Sequence, residues 1–226
     1  MRWMASCILV GCCVVSTAVW AAGTATVKTG DRTITVSFSG PDARVDISGM
    51  QSAYLLLRGD KIYSVTHVNG QPLVLDAQSA AGLLGGGLHT TSDMIQSLTR
   101  LTATGEHETV AGQAGDVYTA TYRDEQGRTR SGRGVLGPQP EVRELTRVLG
   151  HMAILLQGAG GRSSQGTQQV LDALDQRGLG LLAYETQFRV ERISSAAPAA
   201  GALDLPAAPA QLPSNLGQLL QGLNPR

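Results

Sequence analysis

Cysteine stops at Cys13 and tryptophan at Trp20: Cys7, Cys12, Cys13, Trp3 and Trp20 all lie at the amino terminus. A domain that begins after this segment has no disulfide and no thiol nucleophile. Packing and the hydrogen-bonded ladder must hold it together. Charge is also scarce, at 16% of residues with a formal net charge of zero, so the basic footprint of a nucleic-acid binder is missing. No G-x-S-x-G elbow occurs, and His67, His89, His107 and His151 show no paired metal-ligand spacing. The sequence therefore predicts a protein that is not an enzyme and needs no cofactor. What it does have is 42% hydrophobic residues in 226, enough to build one core.

Arg2 is the single charge ahead of an apolar run from Met4 to Trp20, which ends in the small residues AVWAAGTA. This pattern predicts a secretory signal peptide over residues 1–21, cleaved after Ala21 or Ala22, and hence a periplasmic protein. A transmembrane anchor would need a longer apolar run. Leu9-Val10-Gly11-Cys12 also fits a lipobox, so the alternative is a chain lipid-anchored through Cys12.

The stretch from Ser52 to Asp76 sets the architecture. Gly59-Asp60 and Asn69-Gly70 each supply the positive φ of a two-residue hairpin, which predicts three antiparallel strands in fixed register. Leu57 then faces Ile62, Leu56 faces Tyr63, Val65 faces Val74 and Thr66 faces Leu73. Ala53, Leu55, Leu57, Ile62, Leu73 and Leu75 share one aliphatic face. Tyr54, Leu56, Tyr63, Val65, His67 and Val74 share the other, which is too apolar to meet water alone. Both faces are expected to be covered, with helices on the aliphatic one.

Ile34, Val36 and Phe38 alternate with threonine and serine, and Ala43, Val45 and Ile47 alternate with polar residues, which extends the meander upstream. Ala77 to Thr91 is glycine-rich and breaks the sheet. Ser92 reads as an N-cap, and Met94, Ile95, Leu98 and Leu101 as the stripe of a short helix. Strands resume at Glu106–Ala111, Asp116–Arg123 and Arg128–Leu136. Pro140 suits the first position of a helix over Glu141–Gln157, with Val142, Leu145, Leu149, Met152 and Leu156 inward and Arg143, Glu144 and Arg147 outward. A second helix covers Thr167–Arg177, and strands over Leu179–Glu185 and Gln187–Ser194 complete a domain of residues 22–194. The Ala/Pro-rich segment 195–226 cannot order itself and is expected to lie over the domain or hang free, with a short helix at Ser214–Leu223.

Four motifs could carry chemistry. Gly132 to Gly137 matches G-x-G-x-x-G but lies in an antiparallel neighbourhood followed by Pro138, which favours a chance match. The loop Gly82 to His89 lacks the Lys-Ser/Thr of a phosphate cradle and reads as a connector. In Glu106-His107-Glu108, strand alternation points His107 away from both glutamates. Arg123, Arg128, Arg130 and Arg133 gather on one hairpin and read as a charged edge that discourages pairing between sheets, or as contacts to anionic headgroups.

A meander, helices, further antiparallel strands, two helices and a last strand pair resemble the LolA/LolB/LppX-like superfamily, and more narrowly its uncharacterised periplasmic branch. YLLLRGDKIYSVTHVNGQPLVLD, Glu108 to Gly112 with Asp116-Val117-Tyr118, and Arg189 to Ser194 with Asp204-Leu205-Pro206 carry the resemblance. It implies an α+β fold in which a curved antiparallel half-barrel sheet packs helices on its concave face. It also implies an apolar cavity able to hold a lipid-like or other hydrophobic ligand. Ile34, Val36, Phe38, Leu55, Leu57, Ile62, Leu149 and Met152 are the residues expected at that cavity. The alternative is an envelope protein-interaction module that uses a sheet edge or the Ala/Pro-rich tail. Peripheral membrane contact fits either reading.

Overall fold

A computed structural model describes residues 21–49, 53–76 and 95–210. Residues 1–20 of the expected signal peptide, with Cys12, and the glycine-rich break, Ser92, Met94 and Ser214–Leu223 lie outside the described residues. The elements run β1 (Ala22–Thr29), β2 (Arg32–Ser39), β3 (Asp42–Ile47), β4 (Ala53–Arg58), β5 (Lys61–Val68) and β6 (Gln71–Asp76). They continue with β7 (Ile95–Val110), β8 (Gln113–Asp124), β9 (Thr129–Gly137), α1 (Pro140–Ala159), α2 (Gln165–Asp175), β10 (Gly180–Tyr184) and β11 (Phe188–Ser194). The strands form one open antiparallel sheet of 11, in the order β6-β5-β4-β3-β2-β1-β11-β10-β9-β8-β7. Two meanders thus meet where β11 pairs with β1, and α1 and α2 follow β9 in the chain.

The hairpin register is the one the turns dictate. Leu57 pairs with Ile62, Leu56 with Tyr63, Val65 with Val74 and Thr66 with Leu73. Gly59 has φ +56°, and Asn69 and Gly70 have φ 51° and 79°, the left-handed conformations that such turns require.

Pleating divides these strands between two clusters, as the alternation requires. Leu57 and Ile62 join Val36, Phe38, Val45 and the α1 residues Val142, Leu145, Val148 and Met152 in the main core. Leu56, Val65 and Val74 form a second cluster with Tyr54, Tyr63, Leu205 and Ala207. The tail therefore lies over the domain through residue 210. Arg58 donates to the Leu203 carbonyl and to Asp204, at 2.7 and 2.9 Å. The Ala210 amide then donates to the Val74 carbonyl at 2.8 Å. A segment that cannot order itself is ordered here by the apolar face it covers and by the carbonyl of a sheet-edge strand.

α1 starts as its residues dictate, with Gln139 extended and Pro140 at the first helical position. Val142 and Leu145 are wholly buried, each worth about 1.5–3 kcal/mol of transfer free energy. Glu144 departs from expectation: it is buried, not outward. Helical periodicity separates one apolar face from the rest, but α1 is also flanked by α2, so a further side is covered.

The expected short helix at Ile95–Leu101 is strand instead, the first part of β7. Ile95 pairs with Asp124, Leu98 with Tyr122 and Leu101 with Ala120, with register shifts after Ile95 and again after Leu98. Each shift adds one residue to β7, so three of its residues span two of β8. An apolar spacing of three then falls on one strand face. Bulges imitate the helical period.

The arginine-rich hairpin is not the charged edge expected of it. β8 and β9 are interior to the sheet, whose edges are β6 and β7, so these cations guard no edge. Instead Arg128 and Arg130 reach the wholly buried Asp124 at 2.8 and 3.1 Å. The amides of Gln126 and Arg128 also donate to Asp124. Burial pushes the carboxyl up, but the Arg128 amide and the Arg130 and Arg128 side chains outweigh it and hold the pKa at about 2. The folded value lies below the unfolded one. This turn therefore contributes stability above about pH 4, and the contribution is lost as pH falls toward 2. Thermal melts of wild type and Asp124→Asn from pH 6 to pH 2 are expected to differ by several degrees at the top of that range and to converge at the bottom. A constant gap would rule out this account.

Candidate functional site

Beside the main core lies an open cleft of about 600 Å³. α1 supplies one wall, α2 another, and the β2–β3 and β4–β5 turns, with Pro41 and Asp60, close the third side. Leu57, Val148, Ile154, Leu171, Leu174 and Leu179 give it apolar lining. The helices are held together where Leu171 packs on Gly150, at a position that a Cβ would occupy. Gln157 and Thr167 bond across the same junction at 3.0 Å. β10 is tied below, as the Leu181 amide donates to Thr146 Oγ1 at 2.7 Å.

Charge lines the rest of the cleft. Arg143, Arg147 and His151 recur every four residues along α1 and so form one row. Arg147 is paired to Glu144, and His151 Nε2 lies 3.2 Å from Asp60 Oδ1, fastening α1 to the β4–β5 turn. Burial raises the Glu144 carboxyl, while the Arg147 hydrogen bond and the charges of Arg147 and Arg143 oppose that rise only in part. On the facing helix, Asp172 and Asp175 are exposed and three residues apart, and Asp172 takes the Gln168 amide at 2.8 Å.

The eight residues expected at a cavity do come together. Val36, Phe38, Leu57, Ile62 and Met152 are buried in the main cluster, and Ile34, Leu55 and Leu149 pack against it half-buried. Of the eight, Leu57 alone also lines the cleft. The charged row of α1 was legible as a four-residue spacing, but nothing in the sequence says that a second helix and two turns face it.

The Gly132–Gly137 and Glu106–Glu108 motifs have structural partners, and the loop Gly82 to His89 lies outside the described residues. Gly132, Gly134 and Gly137 lie along β9, and Gly132 leaves room for the Tyr184 ring. His107 Nδ1 sits 2.6 Å from Asp116 on the neighbouring strand, whereas Glu106 and Glu108 meet Arg133 and Arg189. Among the described residues no group of three or more His, Cys, Asp or Glu is placed to hold a metal ion. Nor is any described helix long and apolar enough to cross a membrane.

Comparison of the chain with family models, curated proteins and solved structures finds no match. The fold and the cleft define the class by themselves: among the described residues, an α+β arrangement of one open antiparallel sheet, two helices and a cleft beside their core.

Proposed function

We propose that the chain is a non-enzymatic periplasmic binding protein that holds a hydrophobic, lipid-like ligand between its sheet and its helices. In this reading the sheet is a half-barrel and its concave face carries α1 and α2. That is the arrangement implied by the resemblance to the LolA/LolB/LppX-like superfamily. The observation that carries the reading is the open cleft of about 600 Å³, with Leu57, Val148, Ile154, Leu171, Leu174 and Leu179 in its lining. This volume falls in the usual range for small-molecule sites, and apolar burial there drives binding at about 25 cal/mol per Å². Leu149, Leu155 and Leu156 of α1 are half-buried against the main core.

The rival reading, an envelope interaction module, has less in its favour. The tail through Ala210 is engaged on its own sheet, including the carbonyl of edge strand β6. Binding is measured by displacement of an environment-sensitive apolar fluorophore with a long-chain fatty acid. Wild type is expected to bind the fluorophore saturably and release it to the fatty acid. Leu171→Asp, which places a carboxylate in the apolar wall, is expected to bind it at least tenfold more weakly. No saturable uptake by wild type would remove the proposal.

A further inference from the structure

The two helical walls of the cleft differ in sign. On α1 stand Arg143 and Arg147, and on α2 stand Asp172 and Asp175. Glu144 and Asp60 also line the space, but each already has a basic partner on α1, Arg147 and His151 respectively. Asp172 gives one oxygen to Gln168 and keeps acceptor capacity on the other. A guest that enters here meets a guanidinium on one side, carboxylates on the other and Leu57, Val148 and Leu174 below.

A purely apolar guest would desolvate both charged rows without compensation, which is costly. An anionic guest would satisfy Arg143 but be repelled from Asp172 and Asp175, and a cationic one the reverse. A guest that carries both charges answers both walls. We propose that this cleft selects a zwitterionic amphiphile, a phosphodiester lipid whose phosphate meets Arg143 while its primary ammonium meets Asp172 and Asp175. The primary amine matters because it presents N–H donors to carboxylates, whereas a quaternary ammonium presents none. This rests on the lipid-binding reading above and adds the headgroup to it.

The full-length processed protein is incubated with phosphatidylcholine vesicles containing either phosphatidylethanolamine or phosphatidylglycerol. It is then re-isolated, and bound lipid is read by native mass spectrometry, with fluorophore displacement run in parallel. Wild type is expected to recover phosphatidylethanolamine about tenfold over either competitor. Asp172→Asn with Asp175→Asn, at exposed positions, is expected to bring phosphatidylethanolamine down to the phosphatidylcholine level. Arg143→Ala is expected to weaken both of those lipids alike, because they share the phosphate. Equal recovery of all three lipids, a preference for phosphatidylglycerol, or an unchanged preference in the double variant would overturn the headgroup assignment. If the fluorophore still binds in those cases, the hydrophobic-ligand reading stands without it. If neither fluorophore nor lipid binds, both fall.

Discussion

Gly180→Ala is expected to destabilise the protein by about 3 kcal/mol and to abolish fluorophore binding, because it separates α1 from the sheet. A Cβ at this position would lie 2.5 Å from both the carbonyl carbon and oxygen of Val142 and 2.6 Å from the Arg143 nitrogen. These are backbone atoms of a helix, and no rotamer change moves them aside. The helix must lift, and with it go the Leu181-to-Thr146 bond and the burial of Val142 and Leu145. One wall of the cleft would shift at the same time, so stability and binding should fall together. Gly158 provides the control: it lies in the same helix with open space where a side chain would go. Gly158→Ala is expected to stabilise by about 0.5–1 kcal/mol through helix propensity. Urea denaturation measures both. A Gly180→Ala protein with wild-type midpoint and binding would mean that α1 does not press on β10 as closely as described.

Removal of residues 195–226 is expected to cost about 3 kcal/mol while leaving ligand binding intact. Leu56, Val65 and Val74 are at most 1% exposed, and Leu205 and Ala207 are part of what covers them. Truncation exposes this face and deletes the Arg58–Asp204 pair, although the entropy recovered by the released tail offsets part of the loss. Binding should persist because Leu56 and Leu57 point to opposite faces of β4, and the cleft is on the Leu57 side. Leu205→Asp in the full chain is expected to reproduce most of the destabilisation, which separates loss of the apolar cover from loss of chain length. A truncated protein that melts with wild type would show that the tail contributes nothing.

Legibility varied along the chain for identifiable reasons. β4 to β6 could be paired residue by residue because two turn dipeptides pin the ends of each hairpin and leave one register open. β7 reads as a helix because two bulges space its apolar residues like one, and bulges carry no mark in a single sequence. Periodicity places Glu144 on the outer surface because it records which residues are apolar, not how many neighbours a helix acquires. The arginines of the β8–β9 hairpin stand out as a group, but their common partner Asp124, the last residue of β8, reads in the sequence as an ordinary residue beside a turn. The cleft was not legible at all, since its walls come from segments more than 100 residues apart, such as Asp60 and Asp172.

Local chemistry alone determined the antiparallel meander, the start of α1 at Pro140 and the division of the central strands into two covered faces. Those features depend on φ, on alternation and on a missing N–H, which act within a few residues. Only the tertiary structure decided what covers each face, where β7 bends and which charges stand opposite one another. Those outcomes depend on surfaces assembled from distant parts of the chain, and on the requirement that every apolar face and buried carboxylate find a partner.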